Sequence, residues 1–341
     1  MSVKVSVCMP VFNTDKQYLK KAIESILNQT YKNFEFIILN DGSTKTYIDD
    51  IINRYKNKDN RIIYIKNSQN LGISKARNMM INLSKGKYIA NMDHDDISFP
   101  ARLQKQIEFM EQNENVGVCG TAYKKIGSFL NRGIVRYPAD HFILQATLIF
   151  KCVIHHPSAM YRKEVLAKHN IKYDENLISV NDRKIFLEIS KYAKLSNLKE
   201  VLGLYRIHNS MTSKVQRNEI TKEQKHFRKE LFELTNVVLS QEEESIFNEY
   251  IVNGRNRIKN GEILSKINNI LEKLYGANKK NLFFNEGALG VVCAKYLLKR
   301  CVNGAIFGFV SSKDILNKTT LPLPKKSKQL IFLKFMNAIF R

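Results

Sequence analysis

The segment Phe34–Leu39 (FEFIIL) is a near-continuous apolar run that stops abruptly at Asn40-Asp41-Gly42-Ser43. Such runs suit strands buried on both faces, as in parallel sheets. A shorter run, Lys4–Pro10 (KVSVCMP), comes before it and gives way to Pro10–Asn13. Between the two, from Asp15 onward, Leu19, Ala22, Ile23, Ile26 and Leu27 recur at helical spacing. The alternation continues with a helix at about Tyr47–Tyr55, a strand at Arg61–Ile65 and a helix at about Ile73–Ser84. Lys87–Met92 (KYIANM) then reads as another buried strand, ending at Asp93-His94-Asp95-Asp96. This order predicts an α/β domain with a mostly parallel sheet flanked by helices. Ligands of such sheets bind beyond the carboxyl ends of the strands. Pro10–Asn13, Asn40–Ser43 and Asp93–Asp96 all fall there. Helices are also expected at Lys163–His169 and Asp182–Ala193, and a strand at Val201–Ile207. After Ser213 glycine is sparse until Gly254 and Lys/Glu-rich helical segments dominate. The expected division is 1–213 for the α/β domain and 214–341 for a mainly helical, basic region.

The carboxylates carry the chemistry. Three within four positions repel one another and bind protons more tightly unless a cation sits among them. A hard divalent ion such as Mn²⁺ or Mg²⁺, held with substrate phosphates, fits oxygen ligands of this kind. The competing reading is a solvated acidic turn, or Asp96 or Ser98 capping the helix after Pro100. Asp41 has two readings as well: a simple Asp-Gly turn, or an acceptor for a nucleotide's base or ribose.

A chain of 341 residues has room for about two domains and a core without disulfides. Its five cysteines, at 8, 119, 152, 293 and 301, form no C-x-x-C pair, which argues against zinc ribbons and suits a reducing compartment. The N-terminal segment lacks the pattern of a signal peptide, and no uncharged apolar run reaches the length of a membrane span. Lysine and arginine number 55 against 32 aspartates and glutamates, a net charge of +23. A surplus of this size implies nucleic acid, an anionic membrane surface or phosphate-bearing substrates as partners. It is densest in residues 295–341, with 10 basic and 1 acidic side chains. There Leu330, Ile331, Phe332, Leu333, Phe335, Met336, Ile339 and Phe340 accompany Lys326, Lys328 and Lys334. Basic amphipathic segments of this composition lie in membrane interfaces; otherwise the tail packs on the protein or on a second copy of it. No nucleic-acid-binding signature accompanies the charge, so no nucleic acid is expected.

The strings VSVCMPVFN (5–13), SILNQTYKNFEFIILNDGST (25–44), NLGISKARN (70–78), GKYIANMDHDD (86–96), PARLQKQ (100–106) and YRIHNSMTS (205–213) together resemble the family-2 inverting glycosyltransferases of the GT-A fold, of the bacterial surface-glycan type. The resemblance covers roughly the first 213 residues. It implies a Rossmann-like GT-A domain that binds a nucleotide-sugar, with UDP as the expected nucleotide. Pro10, Val11 and Asn13 would line the nucleotide pocket, Asp41 would meet the uracil or ribose, and Arg77 would lie near the base and diphosphate. Asp93 and Asp95 would form the DxD pair, the first toward the ribose and the second toward Mn²⁺ or Mg²⁺, with His208 near the metal or diphosphate. In SVNDRKIFLEIS (179–190), Asp182 matches the family's catalytic base, or is simply a helix N-cap; Asn181 replaces the usual Glu. His155 and His156 match an HPS-like string on the acceptor side or serve structure, and neighbours on an extended segment do not readily share one metal. The implied reaction is inverting transfer of a hexosyl or N-acetylhexosaminyl group to a glycan or glycolipid acceptor of lipooligosaccharide, capsule or lipid-linked oligosaccharide, giving a β-linkage. No Gln-x-x-Arg-Trp string is present, so addition of one sugar, or short-chain transfer, by a peripheral enzyme is expected. The enzyme would work in the cytoplasm at the inner face of the membrane, with homo-oligomers an open possibility. The alternative is a non-catalytic glycan- or nucleic-acid-binding protein on the same fold.

Overall fold

The computed structural model describes residues 3–127, 133–177, 179–208, 217–252, 256, 258 and 261–323. The expected basic tail from Leu330 to Phe340, and Asn209–Ser213 of the last matching string, lie outside these residues, as does the expected boundary at 213/214.

The first elements follow the sequence pattern closely. They are β1 (Val5–Val11), α1 (Lys16–Leu27), β2 (Phe34–Asp41), α2 (Tyr47–Lys56), β3 (Ile62–Asn67), α3 (Ile73–Leu83) and β4 (Tyr88–Asn91). Every residue of β1, β2 and β4 is buried, as uninterrupted apolar runs require of central parallel strands. Asp15 starts α1 by accepting from the amides of Gln17 and Tyr18, satisfying donors that the first turn otherwise leaves free. Helix α1 turns Leu19, Ala22, Ile23 and Ile26 inward, onto a core with Val7, Met9, Phe36, Ile38 and Ile52.

The second stretch has β5 (Ile97–Ser98), α4 (Arg102–Gln112), β6 (Val116–Ile126), β7 (Ile134–Val135), α5 (His141–Thr147), β8 (Met160–Arg162), α6 (Lys163–Lys168), α7 (Asn181–Ser190) and β9 (Lys194–Arg206). The described strands form one sheet in the order β3-β2-β1-β4-β8-β6-β9-β5, with β7 on β6. Strands β3, β2, β1 and β4 are mutually parallel. Beyond them β8 is antiparallel to both β4 and β6, while β6 and β9 run parallel. Strand β9 begins seven residues before the expected start at Val201. Its first half alternates little between apolar and polar residues, so periodicity gives no signal there.

The chain divides into two compact units. The first comprises 1–141 and 152–223, and the second 142–151 and 224–341. The second is helical: Arg217–Leu234 leads into it, followed by Gln241–Ile246, Gly261–Asn281 and the long Glu286–Lys318. Its core includes Leu264, Ile267, Leu271, Leu289, Val292 and Leu297. Ser240 and Glu243 cap one helix reciprocally. Among the described residues no helix is long and apolar enough to cross a membrane.

Candidate active site

The polar ends of β1 and β2 are laced together. Val11 closes β1 opposite Asn40 of β2, one step after Pro10 pairs with Leu39. Asn13 adopts a φ of +46°, a left-handed conformation that Asn tolerates better than most residues. Its amide donates to Ser43 Oγ at 3.0 Å, and its Oδ1 accepts from the amides of Thr44 at 2.9 Å and Lys45 at 3.3 Å. Asp41 is buried and bonded on both oxygens. Oδ1 accepts from Asn67 Nδ2 at 2.7 Å and Leu71 N at 3.1 Å, and Oδ2 from Gly72 N at 3.0 Å. The carboxylate thus shapes the loop that delivers α3. Gly42 has φ +68°, and a Cβ there would lie 2.3 Å from the carbonyl carbon of Gln69, so this close approach of two loops needs glycine.

The acidic cluster follows β4. Asp93, Asp95 and Asp96 each offer a carboxylate oxygen, all within 4.8 Å of one another. Helix α3 brings Arg77 Nη2 to 3.5 Å from Asp93 Oδ1, with the guanidinium 5.5 Å from the Tyr173 ring centre. His208, just past β9, sets Nε2 2.8 Å from Asp95 Oδ2. Arg206 lies two residues earlier; its amide donates to Asp96 Oδ1 at 2.8 Å and its Nε to Asp95 O at 2.8 Å. Burial raises the Asp93 carboxyl above the usual range, Arg77 opposes this, and Asp95 adds to it. Burial pushes Asp96 up further, with Asp95 and Asp93 next in effect.

Neither carboxylate is spent on capping. Helix α4 has Ala101 as its N-cap and no side-chain cap, which removes that alternative for Asp96 and Ser98. Asp96 Oδ2 is buried with no hydrogen-bond partner, and His155 Nε2 lies 3.8 Å from it. Three crowded carboxylates, one with an orphaned oxygen, form a donor set that fits a hard divalent cation.

Asp182 sits in the first turn of α7, whose N-cap is Val180, so it is not the cap. Its Oδ1 accepts from Arg183 N at 2.7 Å. Burial raises its carboxyl; a hydrogen bond from Cys152, the amide and charge of Arg183, and the charge of Arg77 pull it down. Arg77 therefore acts on Asp93 and Asp182 alike. Asn181, where the resemblance implies Glu, is buried and donates to Ser74 Oγ at 2.6 Å and Leu177 O at 2.5 Å, fixing the turn ahead of Asp182. The adjacent histidines serve different neighbours. His155 stacks on Tyr123 with ring centres 3.8 Å apart. His156 Nε2 meets Asn91 Nδ2 at 3.0 Å and Tyr173 Oη at 2.8 Å. Burial drives His155 down to about 3 and His156 well below its ordinary value, so both are neutral.

The structure thus pairs Arg77 with Asp93 and His208 with Asp95, and the two pairs meet in the cluster of Asp93, Asp95 and Asp96. Pro10, Val11, Asn13 and Asp41 form a second group at the ends of β1 and β2. Sequence reasoning passed over Arg206, Tyr173 and Arg102. Arg206 was within reach, because residues 206 and 208 share one face of an extended segment. Arg102 is buried and donates to Asn91 O at 2.8 Å and Gln106 Oε1 at 2.9 Å, behind the acidic turn. For Tyr173, whose partners Asn78 and Asn91 lie 95 and 82 positions away, the sequence holds no local signal.

The sequence model described as glycosyl transferase family 2 matches residues 6–169. An uncharacterized glycosyltransferase of Methanocaldococcus jannaschii is 39% identical over 210 residues, which cover 60% of this chain and 71% of that one. The O-antigen biosynthesis glycosyltransferase WbnJ of Escherichia coli is 37% identical over 217 residues, 62% of this chain and 82% of WbnJ. Among solved structures, S. aureus TarS 1-349 in complex with UDP-GlcNAc superposes with a TM-score of 0.58 at 16% identity, covering 85% of this chain and 91% of that one. The mannosyltransferase PcManGT of Pyrobaculum calidifontis, in complex with GDP-Man and Mn²⁺, gives 0.54 at 13% identity, with coverage of 98% and 87%. These structures share the fold, and the sequence relatives share more than that: the chain belongs to glycosyl transferase family 2.

Proposed function

We propose that this glycosyltransferase moves one sugar, with inversion, from a UDP-hexose or UDP-N-acetylhexosamine to a hydroxyl of a surface glycan, leaving a β-linkage. The observation that carries this reading is the acidic cluster: Asp93, Asp95 and Asp96 offer oxygens within 4.8 Å of one another, with Arg77 Nη2 3.5 Å from Asp93 Oδ1. Asp182 takes the proton of the acceptor hydroxyl as general base, and that oxygen displaces the nucleotide from the anomeric carbon. Attack from the face opposite the leaving group inverts that centre. Arg77 stands where it offsets the charge of the departing diphosphate. The loop ends at Pro10–Asn13 and Asp41 hold the nucleoside. A divalent ion held by Asp93, Asp95 and Asp96, with His208 beside Asp95, would supply Lewis-acid stabilisation of the diphosphate.

A UDP-sugar in TarS and GDP-mannose in PcManGT occupy the same fold, which supports a nucleotide-sugar donor. WbnJ is named for O-antigen biosynthesis, which supports a surface-glycan acceptor. The test is nucleotide release across UDP-Gal, UDP-Glc, UDP-GlcNAc and UDP-GalNAc, with and without glycan acceptors, followed by the anomeric configuration of the product. Release with one donor, a β product and loss of both in Asp182→Asn are expected. Transfer near the wild-type rate in Asp182→Asn, or an α product, would sink the mechanism.

A further inference from the structure

The last two side chains of β2 serve opposite faces of the sheet. Asp41 is in register with Asn67 of β3, and Asn40 with Lys66; successive residues of a strand alternate between faces. Asp41 holds the loop that leads to α3. Asn40, 1% exposed, turns to Asp49 in the first turn of α2. Its Nδ2 donates to Asp49 Oδ1 at 2.8 Å, and Tyr64 Oη donates to the same oxygen. Lys66 Nζ reaches Asp49 Oδ2 at 2.6 Å, and Asn40 Nδ2 lies 3.2 Å from Tyr64 Oη. The other end of the Asn40 amide faces the site. Its Oδ1 accepts from Ser43 N at 3.0 Å, and Ser43 Oγ accepts from Asn13 N at 3.0 Å. Helix α2 holds the following residue as well, since Tyr47 Oη donates to Thr14 O at 2.7 Å.

We propose that Asp49 is a positioning residue for the nucleoside end of the site, acting through Asn40 and Ser43 on the backbone of Asn13. This rests on the reading that Pro10–Asn13 and Asp41 hold the nucleoside. An ionised carboxylate only accepts, whereas an amide side chain has a donating and an accepting end. Asp49 therefore draws the Nδ2 end of Asn40 to itself and leaves the oxygen for Ser43 N. Ser43 Oγ is thereby set for Asn13 N, at the residue whose φ of +46° carries the chain out of β1. The plainer role for Asp49 is that of an acid in a first helical turn, favourable beside the helix N-terminus. Asp50 lies in the same turn and is exposed, so it shares that helix role without a place in the relay.

The experiment uses the full chain, with UDP as the probe in buffer containing Mn²⁺, titrated calorimetrically beside thermal unfolding. Asp49→Ala should bind UDP about tenfold more weakly, the scale of one lost hydrogen bond to a charged group. Asp50→Ala should bind UDP as the wild type does, whatever either change does to the unfolding midpoint. Ser43→Ala should weaken UDP too. The double variant Asp49→Ala/Ser43→Ala should be no weaker than the weaker single one, because both changes cut the same chain of bonds. Tyr64→Phe removes a donor to Asp49 and an acceptor for Asn40, should weaken UDP in the same direction, and decides alone if Asp49→Ala does not fold. Unchanged affinity in the deciding variant, an equal loss in Asp50→Ala, or losses that multiply in the double variant would overturn the proposal. If Asp41→Asn and Ser43→Ala weaken UDP while Asp49→Ala does not, the proposal fails and the nucleoside reading stands. If none of these variants weakens UDP, or the wild type does not bind it, the nucleoside reading fails and the proposal falls with it.

Discussion

At the scale of single residues, what matters is where a charge is buried and what opposes it. Asp182 combines a raised carboxyl with two nearby cations. As the proposed general base it must be ionised, so kcat/KM should rise with pH through an acid limb above the ordinary aspartate value. Asp182→Asn should lose roughly a hundred- to ten-thousand-fold in transfer rate while keeping the wild-type circular dichroism. A flat profile across the acid range would assign the proton elsewhere. Gly42 tests the loop rather than the chemistry. Gly42→Ala forces a Cβ against the Gln69 backbone at positive φ, and strain of this kind costs about 1–3 kcal/mol, readable as a lower unfolding midpoint. The aspartates of the site were legible because each closes a buried strand or opens a helix of matching sequence. What they bond to was not. Asp41 reads equally well as a turn residue or a nucleotide contact, and its ties to Asn67, Leu71 and Gly72 depend on a loop closing across two strands.

At the scale of elements, the informative piece is β9. The sequence predicts its second half, where apolar residues recur, and it ends on the acidic turn through Arg206 and His208. One strand end thereby braces Asp95 by its backbone carbonyl and its carboxylate, and Asp96 by an amide. The guanidinium of Arg206 also lies over the Tyr18 ring of α1 at 4.3 Å. Arg206→Ala removes the side-chain donor to Asp95 O and this ring contact, but leaves the amide on Asp96. It should therefore weaken binding of the metal and donor more than it lowers the unfolding midpoint, a split that titration calorimetry and melting measure together. Arg102 behaves in the opposite way. It is buried, it satisfies Asn91 O, and its charge faces Asp96 and Asp93. Arg102→Leu leaves buried acceptors and carboxylates without it and should cost about 3 kcal/mol or more in stability. Helix and strand positions follow from short-range periodicity. Bracing of this kind joins residues about 110 positions apart, and no window of the sequence contains it.

At the scale of the whole molecule, the acidic cluster runs against the net charge of +23, and two tests separate the site from the surplus. Mn²⁺ binding by Asp93, Asp95 and Asp96 should raise the unfolding midpoint, by about 2.7 kcal/mol of stabilisation at a hundredfold excess over Kd. Asp95→Ala should abolish the shift. Because the ligands bind metal deprotonated and burial raises Asp93 and Asp96, the shift should shrink as pH falls toward those raised values. A shift that persists in Asp95→Ala would place the ion elsewhere. The surplus calls for a different experiment. Residues 295–341 hold 10 basic side chains against 1 acidic, and each cation near an anionic bilayer contributes about 1 kcal/mol. Several such cations beside eight large apolar side chains suffice for reversible attachment. Flotation with vesicles containing anionic lipid should therefore carry the full chain upward, and should weaken with salt because the attraction is screened. Truncation after Pro324 removes Lys325, Lys326, Lys328 and Lys334 together with these apolar residues, and should leave the protein at the bottom of the gradient. Flotation unchanged by that truncation would assign membrane contact to the cations of the remaining chain, and the tail would then be a packing element.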